Sequence, residues 1–212
     1  MTATRAAILE RVASYYTECV REHGETARGV DWNSEASQDL RFRELLRVVP
    51  ESVTEYSILD YGCGYGALVD TLAERGAAFT YSGYDLSEEM IARARLRYGS
   101  AGHTFGTDLA ALGVADYALA SGVLNVKLDV PLDAWRDHVT AILKDLDRLS
   151  RRGFAFNALT SYSDEHRKVE QLYYADPTEC FDYCKRTFSP HVALLHDYGL
   201  WEFTVLVRKG AG

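Results

Sequence analysis

The chain has 212 residues, 47% hydrophobic and 25% charged, a composition that excludes disordered, collagen-like and fibrous proteins and allows a sizeable single core. Lys and Arg number 23 against 31 Asp and Glu, a net charge of −8. That balance weighs against a nucleic-acid surface, which needs clustered cations to displace counterions, and makes a small-molecule substrate the expected partner.

In chain order, apolar residues at Ile8, Val12, Tyr15, Tyr16, Cys19 and Val20 predict a helix from Thr4 to about Glu22. A second is predicted from about Ser34 to Val49, carrying Leu40, Leu45, Leu46 and Val49. The period then changes. Ser57 to Tyr61 is a short buried strand that stops in glycines, followed by a helix from Tyr65 to Arg75 closed by Gly76. The unit repeats as a strand Phe79 to Tyr84 and a helix Ser87 to Tyr98, with Ser87 as N-cap and Glu88 and Glu89 complementing the positive helix start. Strands at His103 to Gly106 and Asp116 to Ser121, a helix Leu132 to Leu149 and a strand Gly153 to Leu159 complete an alternation that means a mostly parallel sheet. A Tyr-rich insertion, residues 160–187, holds one helix from Pro177 to Arg186. Strands Val192 to Asp197 and Trp201 to Val207 end the chain, and a join of only Tyr198 to Leu200 requires them to be antiparallel.

No stretch free of Asp, Glu, Lys and Arg runs longer than Gly153 to Ser163, short of the roughly 20 apolar residues of a membrane span. The N-terminus has no apolar signal core, so the chain reads as cytoplasmic. Cys19, Cys63, Cys180 and Cys184 lack zinc-ligand spacing and read as reduced thiols, with no metal site expected.

The segment with chemical content is Ile58-Leu59-Asp60-Tyr61-Gly62-Cys63-Gly64-Tyr65-Gly66, a strand running into a glycine turn. Gly62 and Gly64 allow a ligand close to the backbone, and free N–H groups at the start of the following helix favour an anionic group. Asp85 ends the second strand, where a carboxylate in a doubly wound sheet can accept from both hydroxyls of a ribose.

These motifs resemble those of the class I S-adenosylmethionine-dependent methyltransferases over roughly residues 30–209. LDYGCGYG is similar to the family's first motif, GYDLSEEMI to its second, GTDL to the adenine-edge motif, and ASGVLNV lies where the methionine end of the cofactor sits. The resemblance implies a Rossmann-like α/β fold: a mostly parallel seven-stranded sheet ending in an antiparallel hairpin, preceded by two helices. It divides one methyltransferase domain into a helical cap (1–50), a cofactor-binding core (56–159), an insertion or lid (160–187) and the hairpin (188–209). S-adenosyl-L-methionine is the implied cofactor. Asp60 would face its ammonium, Asp85 its ribose, Leu86 its adenine face, Asp108 and Leu109 its adenine edge, and Gly62, Gly64, Ser121 and Gly122 its methionine end. Arg41 is expected to meet the methionine carboxylate, and Trp32 to cover the cofactor.

The turn spacing Gly62-x-Gly64-x-Gly66 departs from the dinucleotide fingerprint, which disfavours a nicotinamide-dependent oxidoreductase without removing it. A methyltransferase-like binding protein without chemistry and a peptide or protein methyltransferase stay open beside methylation of a small-molecule O or N acceptor by a monomer or homodimer. No catalytic residue is assigned, since methyl transfer depends mainly on alignment. Asn125, Lys127, Asn157, His166, Tyr173, Tyr174, Asp176 and His196 form the pool of candidate substrate contacts. The 14 tyrosines lead to one further expectation: Tyr15, Tyr16, Tyr162, Tyr173, Tyr174, Tyr183 and Tyr198 lie in the segments that cover the acceptor side, so the pocket should be walled by phenols.

Overall fold

The computed structural model describes residues 4–30 and 34–210. Seven strands form one sheet: β1 (Glu55–Tyr61), β2 (Ala78–Tyr84), β3 (Thr104–Gly106), β4 (Ala115–Ala120), β5 (Ser150–Leu159), β6 (His191–Leu195) and β7 (Glu202–Arg208), in the order β3-β2-β1-β4-β5-β7-β6. Strands β1 to β5 pair in parallel, and β7 runs antiparallel between β5 and β6. This is the Rossmann-like arrangement expected from the sequence. From β1 the chain winds outward through β2 to β3, then crosses back to β4 on the other side. The crevice at the carboxyl ends of β1 and β4 is therefore the switch point at which open α/β sheets bind ligands. Register brings Asp60 level with Gly83 and Leu119, and Tyr61 level with Tyr84.

Among the described residues six α-helices surround the sheet. Thr4 caps α1 (Arg5–His23), Ser34 caps α2 (Glu35–Leu46), Ser87 caps α4 (Glu88–Tyr98) and Asp176 caps α6 (Pro177–Thr187), each by accepting a backbone N–H from the first turn. The remaining two are α3 (Leu68–Glu74) and α5 (Leu132–Arg148). Helix α2 stops three residues before the expected Val49, because the Val48 and Val49 N–H groups bond three residues back as the chain tightens towards Pro50. Helix α3 starts at Leu68 instead of Tyr65, since Gly64 and Gly66, at φ +54° and +87°, keep the turn non-helical. Between β6 and β7 the join is residues 196–201, longer than the three expected, and the Tyr198 hydroxyl bonds Thr204 Oγ1 at 3.0 Å to fold it back on β7.

Each face of the sheet is covered. On one, Phe42, Leu45 and Leu46 of α2, Leu68 and Leu72 of α3 and Ile91 of α4 pack on Ile58, Tyr81, Tyr117 and Leu206. On the other, Trp135, Val139, Ile142 and Leu146 of α5 pack on Leu59, Tyr61, Tyr84 and Ala118. The connection from β3 to β4 holds only a 3-10 turn, Leu109–Leu112. Helix α1 lies against this second face, burying Ile8 in the α5 core. It is tied down at both ends by the Arg5–Asp145, Arg11–Asp129 and Arg21–Glu89 ion pairs and by a 2.7 Å bond between the Thr17 and Ser87 hydroxyls. No described helix is long and apolar enough to cross a membrane.

Candidate active site

At the switch point the chain makes its glycine turn. Gly62 adopts φ +80°, and a Cβ there would stand 2.1 Å from Val123 Cγ1, so only glycine lets the turn pass the β4 loop. The Gly62 and Cys63 N–H groups both donate to the Tyr84 carbonyl, and Gly64 N–H donates to Asp85 Oδ2 at 2.9 Å. The other Asp85 oxygen accepts the Ser87 N–H, also at 2.9 Å. Burial raises the Asp85 carboxyl above the usual range, and those N–H bonds oppose it.

Asp60 is 3% exposed, and its Oδ2 accepts from the Tyr81 hydroxyl at 2.7 Å. Desolvation pushes its carboxyl up to about 7; the Tyr81 bond lowers it and the neighbouring Asp85 charge adds to the rise. No cation is paired with it among the described residues. A buried carboxylate in this position is satisfied by a ligand that brings its own positive charge.

On the β4 side, the loop after Ala120 is fixed from β5. Asn157 Oδ1 accepts the Gly122 N–H at 2.7 Å, and Asn125 Oδ1 accepts the Leu159 N–H at 3.0 Å. Ser121 presents a buried Oγ with no hydrogen-bond partner among the described residues.

Asp60, Gly62, Gly64, Asp85, Leu86, Ser121 and Gly122 thus line one cavity, closed from above by Leu9, Val12, Ala13 and Tyr16 of α1. Three of the expected residues do not line it. Arg41 is 4% exposed and gives Nε and Nη2 to Glu202 Oε2 and Oε1 at 2.7 and 2.5 Å, because its face of α2 packs towards β7. Asp108 caps the 3-10 turn through the Ala110 N–H, and Leu109 packs against the α5 core. Trp32 lies outside the described residues.

The expected phenol wall also differs. Of the seven covering tyrosines, only Tyr16 lines the cavity, and it is joined by Tyr61 and Tyr84 from the sheet. Tyr174 instead accepts the Val169 N–H, Tyr183 meets Phe188 edge to face, and Tyr162 lies beside His196. These three rings of the insertion serve the insertion itself and the hairpin, and Tyr173 packs against the α5 core. Asp176 caps α6 and Lys127 Nζ bonds the Leu128 carbonyl, so these two candidate contacts serve local structure.

Gln38 and His138 line the cavity without having been singled out from the sequence, and Val123 of the ASGVLNV segment lines it as well. The available signal for His138 was a polar ring at a helical position whose neighbours, Trp135, Val139 and Ile142, are all buried.

The residues fit S-adenosylmethionine on their own chemistry. Two carboxylates, an unsatisfied hydroxyl and glycines without Cβ are the groups an ammonium, a ribose and a closely held backbone ligand require. A methyltransferase domain family model matches residues 58–153. The chain is 50% identical over 167 residues to "Putative methyltransferase Rv1506c" of Mycobacterium tuberculosis, an alignment covering 78% of this chain and 100% of that protein. This chain belongs to the S-adenosylmethionine-dependent methyltransferase family. Among solved structures, magnesium protoporphyrin IX methyltransferase from Synechocystis PCC 6803 with bound SAH is similar at TM-score 0.66 and 18% identity, covering 94% of this chain and 99% of that one. Haemonchus contortus phosphoethanolamine N-methyltransferase 1 is similar at TM-score 0.65 and 13% identity, over 100% of this chain and 51% of that one. At these identities the structures show that the methyltransferase shares their fold.

Proposed function

We infer that the methyltransferase acts on an oxygen or nitrogen of a small molecule. The observation that carries this reading is that the chain's own helix α1 lines the cavity with Leu9, Val12, Ala13 and Tyr16, which leaves a partly open pocket suited to a compact acceptor. A net charge of −8 argues against nucleic acid, and two of the structural neighbours are named for small acceptors. A cytoplasmic location fits Cys63, Cys180 and Cys184, which are free thiols.

Bound S-adenosylmethionine supplies an electrophilic methyl group on a sulfonium. The chain's residues orient it and keep water out. Asp60 faces its ammonium, Asp85 accepts from the ribose hydroxyls, and Leu86 packs on the adenine. Gln38 takes the place first expected of Arg41: its Oε1 accepts from the Tyr65 hydroxyl at 3.3 Å, which leaves its amide N–H groups to meet the carboxylate.

Titration calorimetry with S-adenosylhomocysteine tests the cofactor half of the reading, and absence of binding defeats it. Mass spectrometry of methylated products from a panel of small hydroxyl and amine acceptors tests the rest. Methylation confined to a peptide or RNA overturns it.

A further inference from the structure

The cavity has two chemically different ends. The acidic end holds Asp60 and Asp85 on the glycine turn. The other lies beneath α1 and is made by Tyr61, Tyr84, His138 and Ile142 with the apolar side of α1. The rings of Tyr61 and Tyr84 meet edge to face at 4.9 Å, and His138 is 4% exposed with Nδ1 lacking a hydrogen-bond partner among the described residues. The charges near this end are closed on each other: Arg5 bonds Asp145 at 2.5 Å and approaches the Tyr61 hydroxyl.

We propose that this end is the acceptor subsite and that it takes a neutral, mostly apolar molecule whose single hydroxyl donates a hydrogen bond to the His138 imidazole. The proposal rests on the methyltransferase reading above and narrows its substrate class. A buried ring nitrogen with no partner costs free energy that a ligand O–H recovers, and an apolar molecule without a hydroxyl leaves that cost in place. Burial, helped by the Arg5 charge, pulls the imidazole down to about 4, so at neutral pH it carries a lone pair and can accept. A carboxylate would meet that lone pair with its own, and an ammonium would lose its water among tyrosine and isoleucine faces. Neither charge is provided for at this end.

The test uses the full-length chain and four probes of similar shape: phenol, toluene, benzoate and benzylamine. Each is titrated calorimetrically into protein first saturated with S-adenosylhomocysteine. Phenol should bind the saturated protein about tenfold more tightly than toluene, the range of one buried hydrogen bond, and more tightly than either charged probe. His138→Leu should erase the preference of phenol over toluene. Equal binding of phenol and toluene to the unsubstituted protein overturns the proposal even if the variant does not fold, as does preference for benzoate or benzylamine. If phenol binds only without S-adenosylhomocysteine and competes with it, the imidazole end belongs to the cofactor and the proposal is also wrong. Failure of S-adenosylhomocysteine itself to bind counts against the cofactor reading, which the first titration measures separately.

Discussion

Asn157, fully buried in β5, accepts the backbone N–H of Gly122 at 2.7 Å through its side-chain oxygen. One strand thereby sets the loop that forms the β4 wall of the cavity, and Gly122 at φ +75° has no second acceptor for that N–H among the described residues. Asn157→Leu should cost about 1–3 kcal/mol of stability, the penalty for a buried donor left without its partner. Urea denaturation measures it. A loss below a few tenths of a kcal/mol would mean that the loop stands without the amide.

Asp85 has a dual duty, receiving the Gly64 and Ser87 N–H groups while facing the cavity. Asp85→Ala is expected to weaken S-adenosylhomocysteine binding by about 1.5–3 kcal/mol, the range for hydrogen bonds to a charged group. Calorimetry reads this directly, and unchanged affinity would remove Asp85 from the ribose position.

Much of this was legible from residue order. Strand–turn–helix punctuation, Ser87 as a cap and the glycine spacing are local signals, and the structure places those elements within a few residues of their expected bounds. The differences are tertiary in origin. Nothing in the neighbourhood of Arg41 shows that its partner lies 161 positions away at the start of β7. Tyr61 and Tyr84 stood inside apolar strand runs, and only the parallel register that sets them side by side turns them into a cavity wall. His138 looked like one more position on a helix; its chemistry depends on α1 crossing the same face.

Arg41 and Glu202 form a buried pair, with side chains 5% and 2% exposed. Arg41→Ala should destabilise the fold by about 3–5 kcal/mol, because it strands the Glu202 charge in the core. Arg41→Met combined with Glu202→Met should recover most of that loss, since an apolar pair of similar volume removes the uncompensated charge. Thermal melts of the three variants decide the matter; a double variant as unstable as the single one would show that further contacts of Arg41 carry the effect.

Gly62 offers a steric test of the turn. Gly62→Ala forces a Cβ to within 2.1 Å of Val123 Cγ1 at a φ of +80°, a combination expected to cost about 1–3 kcal/mol. Placing the same change in a Val123→Ala background removes the clash and leaves only the backbone strain, so the double variant should be more stable than Gly62→Ala alone. Equal melting temperatures would locate the cost in φ.

The ammonium-binding role proposed for Asp60 predicts that cofactor binding depends on pH in a stated direction. Its carboxyl titrates at about 7 in the folded chain, against 3.8 for the free side chain, chiefly because burial disfavours the charge. An ammonium ligand needs the ionised form, so below pH 7 binding must first remove a proton. Affinity for S-adenosylhomocysteine should therefore fall towards tenfold per pH unit below 7 and level off above it. The ligand-free fold follows the opposite course. Between about pH 4 and 7 the folded chain holds a proton that the unfolded chain has released, so stability declines as pH rises through that window and is flat beyond it. Asp60→Asn removes both slopes: at pH 8 the variant should melt higher than the parent without ligand yet bind S-adenosylhomocysteine more weakly. Calorimetry and melting curves at pH 6, 7 and 8 measure the two together, and an affinity that does not change from pH 6 to 8 would place the ammonium away from Asp60.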